Sequence, residues 1–314
     1  MNAVDGSDHY EVAAEGLYIS LTWIHQSNQA VGPAPSLLVI VLDTNPHAWA
    51  LLAPTLPLSK AIANILVFIN AHLAVNNANQ VAVVASHSHR AEWLYPRPPS
   101  TSEDVEMSDL TSPHLDNANK YRPFALIEGS LLASLRDLIS TTTENDISTT
   151  TTTQMAGALT LALAYINKAT INYSGVSTDT KSAPTGVDTN EAPTGLQSRI
   201  LVVSVSGDLA HQYIPIMNTT FAAQRLRIPI DILKLAGDTV FLQQASDATK
   251  GIYMQLRSPQ GLLQYLMMAF LPDQMSRKHL IAPTQEVVDF RAACFCHRKV
   301  VDVGFVCSIC LSSK

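Results

Sequence analysis

All four cysteines of this 314-residue chain lie near its end, two in Cys294-Phe-Cys296-His297 and two in Cys307-Ser-Ile-Cys310. Four thiols this close together point to a metal site. A disulfide pair or buried free thiols are the other readings, but no cysteine precedes residue 294 and the N-terminal residues do not look secretory. The two-residue gap of Cys307-x-x-Cys310 lets both sulfurs turn toward one tetrahedral Zn2+. Residues one apart on an extended strand point to opposite faces, so Cys294 and Cys296 can share that ion only through a bend. The expected ligand set is therefore Cys294, Cys296, Cys307 and Cys310, with His297 the alternative to one of them.

A second place for chemistry is Asp43-Thr44-Asn45-Pro46-His47, directly after the apolar run 37–42. A buried parallel strand reads as such a run, and ligands of open α/β sheets gather at the carboxyl ends of the strands. Three readings compete. A von Willebrand factor A metal site uses Asp-x-Ser-x-Ser on this loop, a Thr from a second loop and an Asp from a third. Here Asn45 and His47 replace the two serines, Thr153 matches the second-loop Thr, and Val205-Ser-Gly-Asp208 disturbs the third loop. Imidazole is a poor ligand for magnesium, which prefers oxygen, so this metal site reads as degenerate. A PIN-type nuclease would need Glu128, Asp208 or Asp231 to join Asp43 around a metal that activates water. The third reading has Asp43 and Asn45 satisfying backbone amides where the strand turns.

Other candidates are weaker. Ser86-His87-Ser88-His89 reads as a solvated hairpin tip, and there is no Gly-x-Ser-x-Gly elbow, phosphate loop or His-Glu-x-x-His helix.

The elements that must position these residues follow from periodicity. Strands are expected at 37–42, 80–85, 199–205, 229–235 and 253–256, with 91–95 returning antiparallel beside 80–85. Helical spacing marks 58–75, 129–139, 155–169, 213–226 and 261–270. Strands that alternate with helices indicate a doubly wound, mostly parallel α/β sheet covered on both faces. Three polar stretches, 96–120, 141–153 and 172–198, are expected as surface loops inserted into one domain, since each is too polar to offset the entropy of ordering it. The expected organisation is an N-terminal extension (1–15), one sheet domain (16–275), a linker (276–293) and a C-terminal zinc module (294–314).

Composition limits the partners. Apolar residues make up 47% and charged residues only 15%, against about 25% charged in typical soluble domains. Such a surface suits coverage by other proteins. A net charge of -6 and no basic stripe argue against sequence-specific nucleic-acid binding. No apolar run approaches the ~20 residues of a membrane span, and no small-molecule substrate is implied.

Leu42-Asp-Thr-Asn-Pro46 after the first strand, Phe270-Leu-Pro-Asp-Gln274 after the last domain helix, and Asp289-Phe-Arg-Ala-Ala-Cys-Phe-Cys-His297 running into Gly304-Phe-Val-Cys-Ser-Ile-Cys-Leu-Ser312 resemble the small von Willebrand A subunit of the TFIIH core. The resemblance spans nearly the whole chain, and its tail motif is the specific part. It implies a von Willebrand A-like fold and a noncatalytic scaffold in the nucleus, acting in RNA polymerase II transcription initiation and nucleotide excision repair. The implied partners are the larger von Willebrand A/RING subunit and other TFIIH subunits. The family carries further cysteines past the Cys-Ser-x-Cys-Leu-Ser motif, where this sequence reads Ser-Ser-Lys, so the zinc module reads as either complete in its four cysteines or shortened.

Overall fold

The computed structural model describes residues 34–97, 122–149, 151–177, 195–207, 209–237, 239–281, 288–293 and 300–303. Its frame is a six-stranded sheet in the order β3-β2-β1-β4-β5-β6. The strands are β1 (Ser36–Asp43), β2 (Gln80–Ser86), β3 (Ala91–Tyr95), β4 (Gln197–Ser204), β5 (Ile230–Lys234) and β6 (Tyr253–Gln255). All pairings are parallel except β2 with β3. A parallel sheet must be covered on both faces, and the sequence of β1 shows it: all eight of its residues are buried.

Alternation along β1 sorts the two layers. Leu38, Ile40 and Leu42 pack with α1 (Pro46–Leu52), α2 (Leu58–Val75), α3 (Arg122–Thr141) and α8 (Leu262–Tyr265), which runs on into a π-helical turn over Leu266–Phe270. Leu37, Val39 and Val41 pack with α5 (Met155–Ser177), α6 (Tyr213–Leu226) and α7 (Val240–Ala248). Burying each such side chain contributes roughly 1.5–3 kcal/mol. By length and apolarity α2 could cross a membrane, but its apolar residues Ile62, Ile65, Phe68 and Ile69 are buried against the sheet. Between α7 and β6 the chain passes so close to β5 that a Cβ on Gly251 would lie 1.9 Å from the Ile230 carbonyl oxygen. Only glycine fits there.

The expected von Willebrand A-like, doubly wound α/β fold is the fold observed, and of the eleven expected strands and helices all but the helix at 129–139 begin or end within a residue of their predicted positions. Four helices were not anticipated, the short Gln274–Arg277 among them. Pro46–Leu52 forms α1, in which Asn45 caps the amino end by accepting from the His47 amide and Pro46 occupies the first turn. Val240–Ala248 forms α7. Glu144–Thr149 forms α4, inside the stretch expected as a loop.

Polarity misled the prediction for that stretch, because Thr142 and Thr153 bond inward and Thr143 caps. Thr143 and Asp146 bond reciprocally: the Thr143 amide and hydroxyl donate to Asp146 Oδ2 at 3.0 and 2.8 Å, and the Asp146 amide donates to Thr143 Oγ1 at 3.4 Å. Thr153 is fully buried.

The described residues of 276–293, a range expected as a linker, carry structure as well. Gln274–Arg277 is the short helix α9, and Ala292–Ala293 (β7) pairs antiparallel with Val300–Val301 (β8). Gln244 of α7 is buried and donates from Nε2 to the carbonyls of Asp289 (2.7 Å) and Arg291 (3.0 Å), which fixes this hairpin to the body. Cys294, Cys296, His297, Cys307 and Cys310 lie outside the described residues.

Candidate functional site

The sheet reverses its winding between β1 and β4, and there the carboxyl end of β1 meets the turn after β4. Asp43 is fully buried at this point. Its Oδ2 accepts the backbone amides of Val205 (3.0 Å) and Ser206 (2.8 Å), and its Oδ1 accepts that of Asn45 (3.1 Å). The carboxylate thus ties β1 to the loop that in a metal site would supply a ligand. Asn45 Nδ2 donates to Ser206 Oγ (3.0 Å) and to the Thr151 carbonyl (2.9 Å).

The stretch 141–153 is bonded to this crevice at Thr142, Ile147, Thr151 and Thr153. His47 Nε2 donates to the Ile147 carbonyl at 2.7 Å. His87 Nδ1 donates to the Thr44 carbonyl at 3.0 Å, and its Nε2 meets Thr142 Oγ1 at 3.0 Å. Thr153 Oγ1 donates to the Ser86 carbonyl at 2.9 Å and lies 2.5 Å from Ser86 Oγ.

Ser86, His87 and Ser88 are buried, so the expectation of a solvated hairpin tip is corrected. Four polar residues in a row looked exposed, but only His89 is, and the polar crevice takes in Ser86 and His87 as partners. Burial pushes the His87 imidazole below its ordinary pKa.

A cation is already built into the neighbouring position. The Lys234 ammonium, fully buried at the end of β5, donates to Ser204 Oγ (2.9 Å), Thr239 Oγ1 (3.0 Å) and the Ser206 carbonyl. It holds the β4 and β5 ends together.

Asp43, Asn45, His47 and Thr153, proposed from sequence, do converge. Their donors and acceptors are spent on protein partners: Asn45 presents its amide nitrogen to Ser206, His47 presents an N–H, and Thr153 donates to a carbonyl. A magnesium ion needs oxygen lone pairs in octahedral array, and this donor set does not fit it.

The carboxylates of the nuclease reading are dispersed. Asp231 lies three residues short of the Lys234 end of β5 and pairs with Arg277, while Glu128 is on α3. Asp208 lies outside the described residues. Among the described residues no group of three or more His, Cys, Asp or Glu is placed to hold a metal. Sequence reasoning read His87 as part of a solvated hairpin tip and Ser206 as part of a disturbed third loop, and it missed Lys234, whose signal was a second charge, beside Asp231, in the short strand β5.

Fold and crevice together define a von Willebrand A-like domain whose ligand loop is closed by its own hydrogen bonds. The family model described as transcription factor Tfb4 matches residues 35–313, and the chain belongs to that family. It is 46% identical over 278 residues to the general transcription and DNA repair factor IIH subunit tfb4 of Schizosaccharomyces pombe, covering 88% of this chain and 84% of that one. It is 34% identical to the subunit TFB4 of Saccharomyces cerevisiae, covering 90% of this chain and 82% of that one. Among solved structures, the crystal structure of the TFIIH p34 N-terminal domain superposes with a TM-score of 0.61 at 50% identity, covering 76% of this chain and 98% of that one.

Proposed function

We propose that this protein is a noncatalytic structural subunit of the TFIIH core, acting in the nucleus in RNA polymerase II transcription initiation and nucleotide excision repair, with the larger von Willebrand A/RING subunit as its chief partner. Family membership supplies the complex. The observation that carries the scaffold reading is the contrast between a closed crevice and an open apolar groove.

The groove runs between α5 and α6, encloses about 550 Å³, and is lined by residues such as Leu163, Ala164, Pro215, Ala222 and Leu226. α5 carries only Lys168 and α6 only Arg225 as charged residues. Phe221 is 57% exposed and Ile171 62% exposed on the same two helices. An uncharged surface with large exposed apolar side chains is the form a protein interface takes.

Ala222 is exposed, so a carboxylate placed there is harmless to the free chain and is buried without a partner in the complex. Ala222→Glu is expected to weaken assembly with the larger subunit at least about tenfold, with the melting temperature of the free chain unchanged. A magnesium-selective chelator is expected to leave assembly intact. Unchanged affinity in Ala222→Glu would remove the groove from the interface, and loss of assembly on magnesium chelation would restore the metal-loop reading.

The tail is proposed to hold one Zn2+ through Cys294, Cys296, Cys307 and Cys310. The sequence supports this, because the two-residue gap of Cys307-x-x-Cys310 suits one tetrahedral ion and Cys294 and Cys296 supply two further thiolates. The zinc supplies folding free energy to a module with little apolar core. Cys310→Ser is expected to lose zinc and loosen the chain after Asp289, while the sheet domain unfolds as before. Metal analysis and hydrogen exchange read both. Full zinc in Cys307→Ser and Cys310→Ser would sink the assignment, and zinc retained only in Cys296→Ser would make His297 the fourth ligand.

A further inference from the structure

The sheet ends unevenly at its β3 edge. Val83 and Tyr95 are the last residues paired across that edge, after which the chain leaves through Pro96, while β2 reaches back three residues further to Gln80. Successive peptide groups of a strand point to alternate sides within the sheet. The Ser86 carbonyl accepts the Thr44 amide (2.9 Å) from the β1 side, and the His87 amide donates to the Arg90 carbonyl (2.9 Å) on the β3 side. Counting back by twos from His87, Val83 and Val81 both turn their N–H and C=O groups toward β3, and only Val83 meets it. Among the described residues the Val81 N–H and C=O have no backbone partner on that side. Such an open pair is a template for a further strand.

A cavity of about 360 Å³ opens at the same place, with Val81 in its lining. Leu73 of α2 and Ile127 of α3 line it on the sheet face to which the Val81 side chain points, and Tyr165 of α5 lines it on the other. Asn77 and Gln80, both exposed, bring carboxamides to its rim. None of the described residues that line it is charged. A charged side chain entering it would lose water without compensation, whereas an uncharged apolar one loses nothing. The edge therefore asks for an extended backbone, and the cavity for neutral side chains.

Resting on the reading of this chain as a TFIIH core subunit, we infer that an extended, uncharged segment of another core subunit adds here as a short strand in line with β3. Its backbone exchanges two hydrogen bonds with Val81, so the residue opposite Val81 has an N–H and is not proline. Cross-strand partners share a face. That residue accordingly sends an apolar side chain toward Leu73 and Ile127, while its neighbours on either side face Tyr165 and Gln80. The backbone bonds supply attachment, and the alternating side chains fix the register.

Amide hydrogen exchange of the full-length chain, free and within the assembled core, reads the backbone pairing directly. The Val81 amide is expected to exchange at least about tenfold more slowly in the core than in the free chain, whereas Val83, already paired with β3, is slow in both. Gln80→Glu sets a carboxylate at the rim, harmless while it meets solvent and unpaired once the cavity is filled. This variant is expected to keep its melting temperature and to lose at least about tenfold of the Val81 protection in the core. A Val81 amide as slow in the free chain as in the core would show the edge closed by this chain itself and overturn the inference. Equally fast exchange in both, or protection untouched by Gln80→Glu, would overturn it as well while leaving the subunit reading in place. Failure of the unaltered chain to enter the core would remove that reading and the inference together.

Discussion

Replacing Asp231 by alanine is expected to cost about 3–5 kcal/mol of folding stability, the scale for removing one partner of a buried ion pair. Asp231 is 1% exposed and takes Arg277 through both carboxylate oxygens at 2.9 and 2.7 Å, while its Oδ1 also accepts the Ile252 amide at 2.9 Å. Arg199 lies close by, fully buried, with its guanidinium on the carbonyls of Pro272 (2.8 Å) and Leu271 (3.4 Å). Burial, and next the repulsion of Arg277, lower the Arg199 pKa to about 10, and Asp231 opposes that fall. Without Asp231 two guanidinium groups face each other in the protein interior, with Asp273 at the edge their nearest compensation. A loss of this size corresponds to a fall in melting temperature on the order of 10 °C for a domain this large. Adding Arg277→Met should restore part of it, since the orphaned charge goes with its partner. Urea unfolding of the three chains decides the matter. A cost under about 1 kcal/mol, the scale of an exposed pair such as Arg97 with Asp137, would show that Asp231 is not the keystone of this end of the sheet.

At the opposite end of the sheet, Asp43→Asn is expected to cost about 3 kcal/mol. The native carboxylate accepts three backbone amides, each bond to a charged acceptor contributing roughly 1.5–3 kcal/mol in isolation. An asparagine amide has one acceptor and one donor, so in either orientation an N–H group is turned against a backbone N–H. The β1 and β4 ends should separate, which hydrogen exchange at Val205 and Ser206 would register. Chemistry is not expected to change, because among the described residues no acid, base and nucleophile converge that could cleave a phosphodiester or hydrolyse a nucleotide. Metal-dependent cleavage of single-stranded nucleic acid by the unaltered chain, abolished in Asp43→Asn, would return the nuclease reading to first place.

How much was legible in the sequence depended on what signal each residue left. β1 and α2 announce themselves, because six consecutive apolar residues, too few for a helix and followed by the Asp-Thr-Asn-Pro turn signal, read as a strand buried on both sides, and Ile62, Ile65, Leu66 and Ile69 repeat at helical spacing. The Asp43, Asn45, His47 and Thr153 constellation was also legible, since strand ends carry ligand loops. Its use was harder to foresee: the replacement of two hydroxyls suggested a weakened metal site, whereas the new side chains are bonds that close it. Short helices escaped because their stability is tertiary. α4 has six residues and depends on the Thr143–Asp146 cap and the contact with His47, while α7 has polar Gln244 and Ser246 on its buried side, where periodicity looks for apolar residues. The buried His87 and Ser88 escaped for the same reason, as a polar interior is invisible to a hydrophobicity pattern.

The winding reversal between β1 and β4 also governs how the chain emerges from the ribosome. β1 pairs on one side with β2, made soon afterwards, and on the other with β4, whose first residue Gln197 is opposite Ser36. Until β4 is translated, the most apolar strand of the protein is an edge, with a row of open amides and carbonyls and an Asp43 carboxylate that lacks two of its three donors. Such an edge invites pairing with another chain, and nascent domains meet it at translation speeds of roughly 5–20 residues per second. The polar sequences between β3 and β4 lengthen that interval while costing little in closure entropy, which grows only with the logarithm of length. The same central position that makes β1 the best protected strand in the finished subunit leaves it the most vulnerable while the subunit is being made.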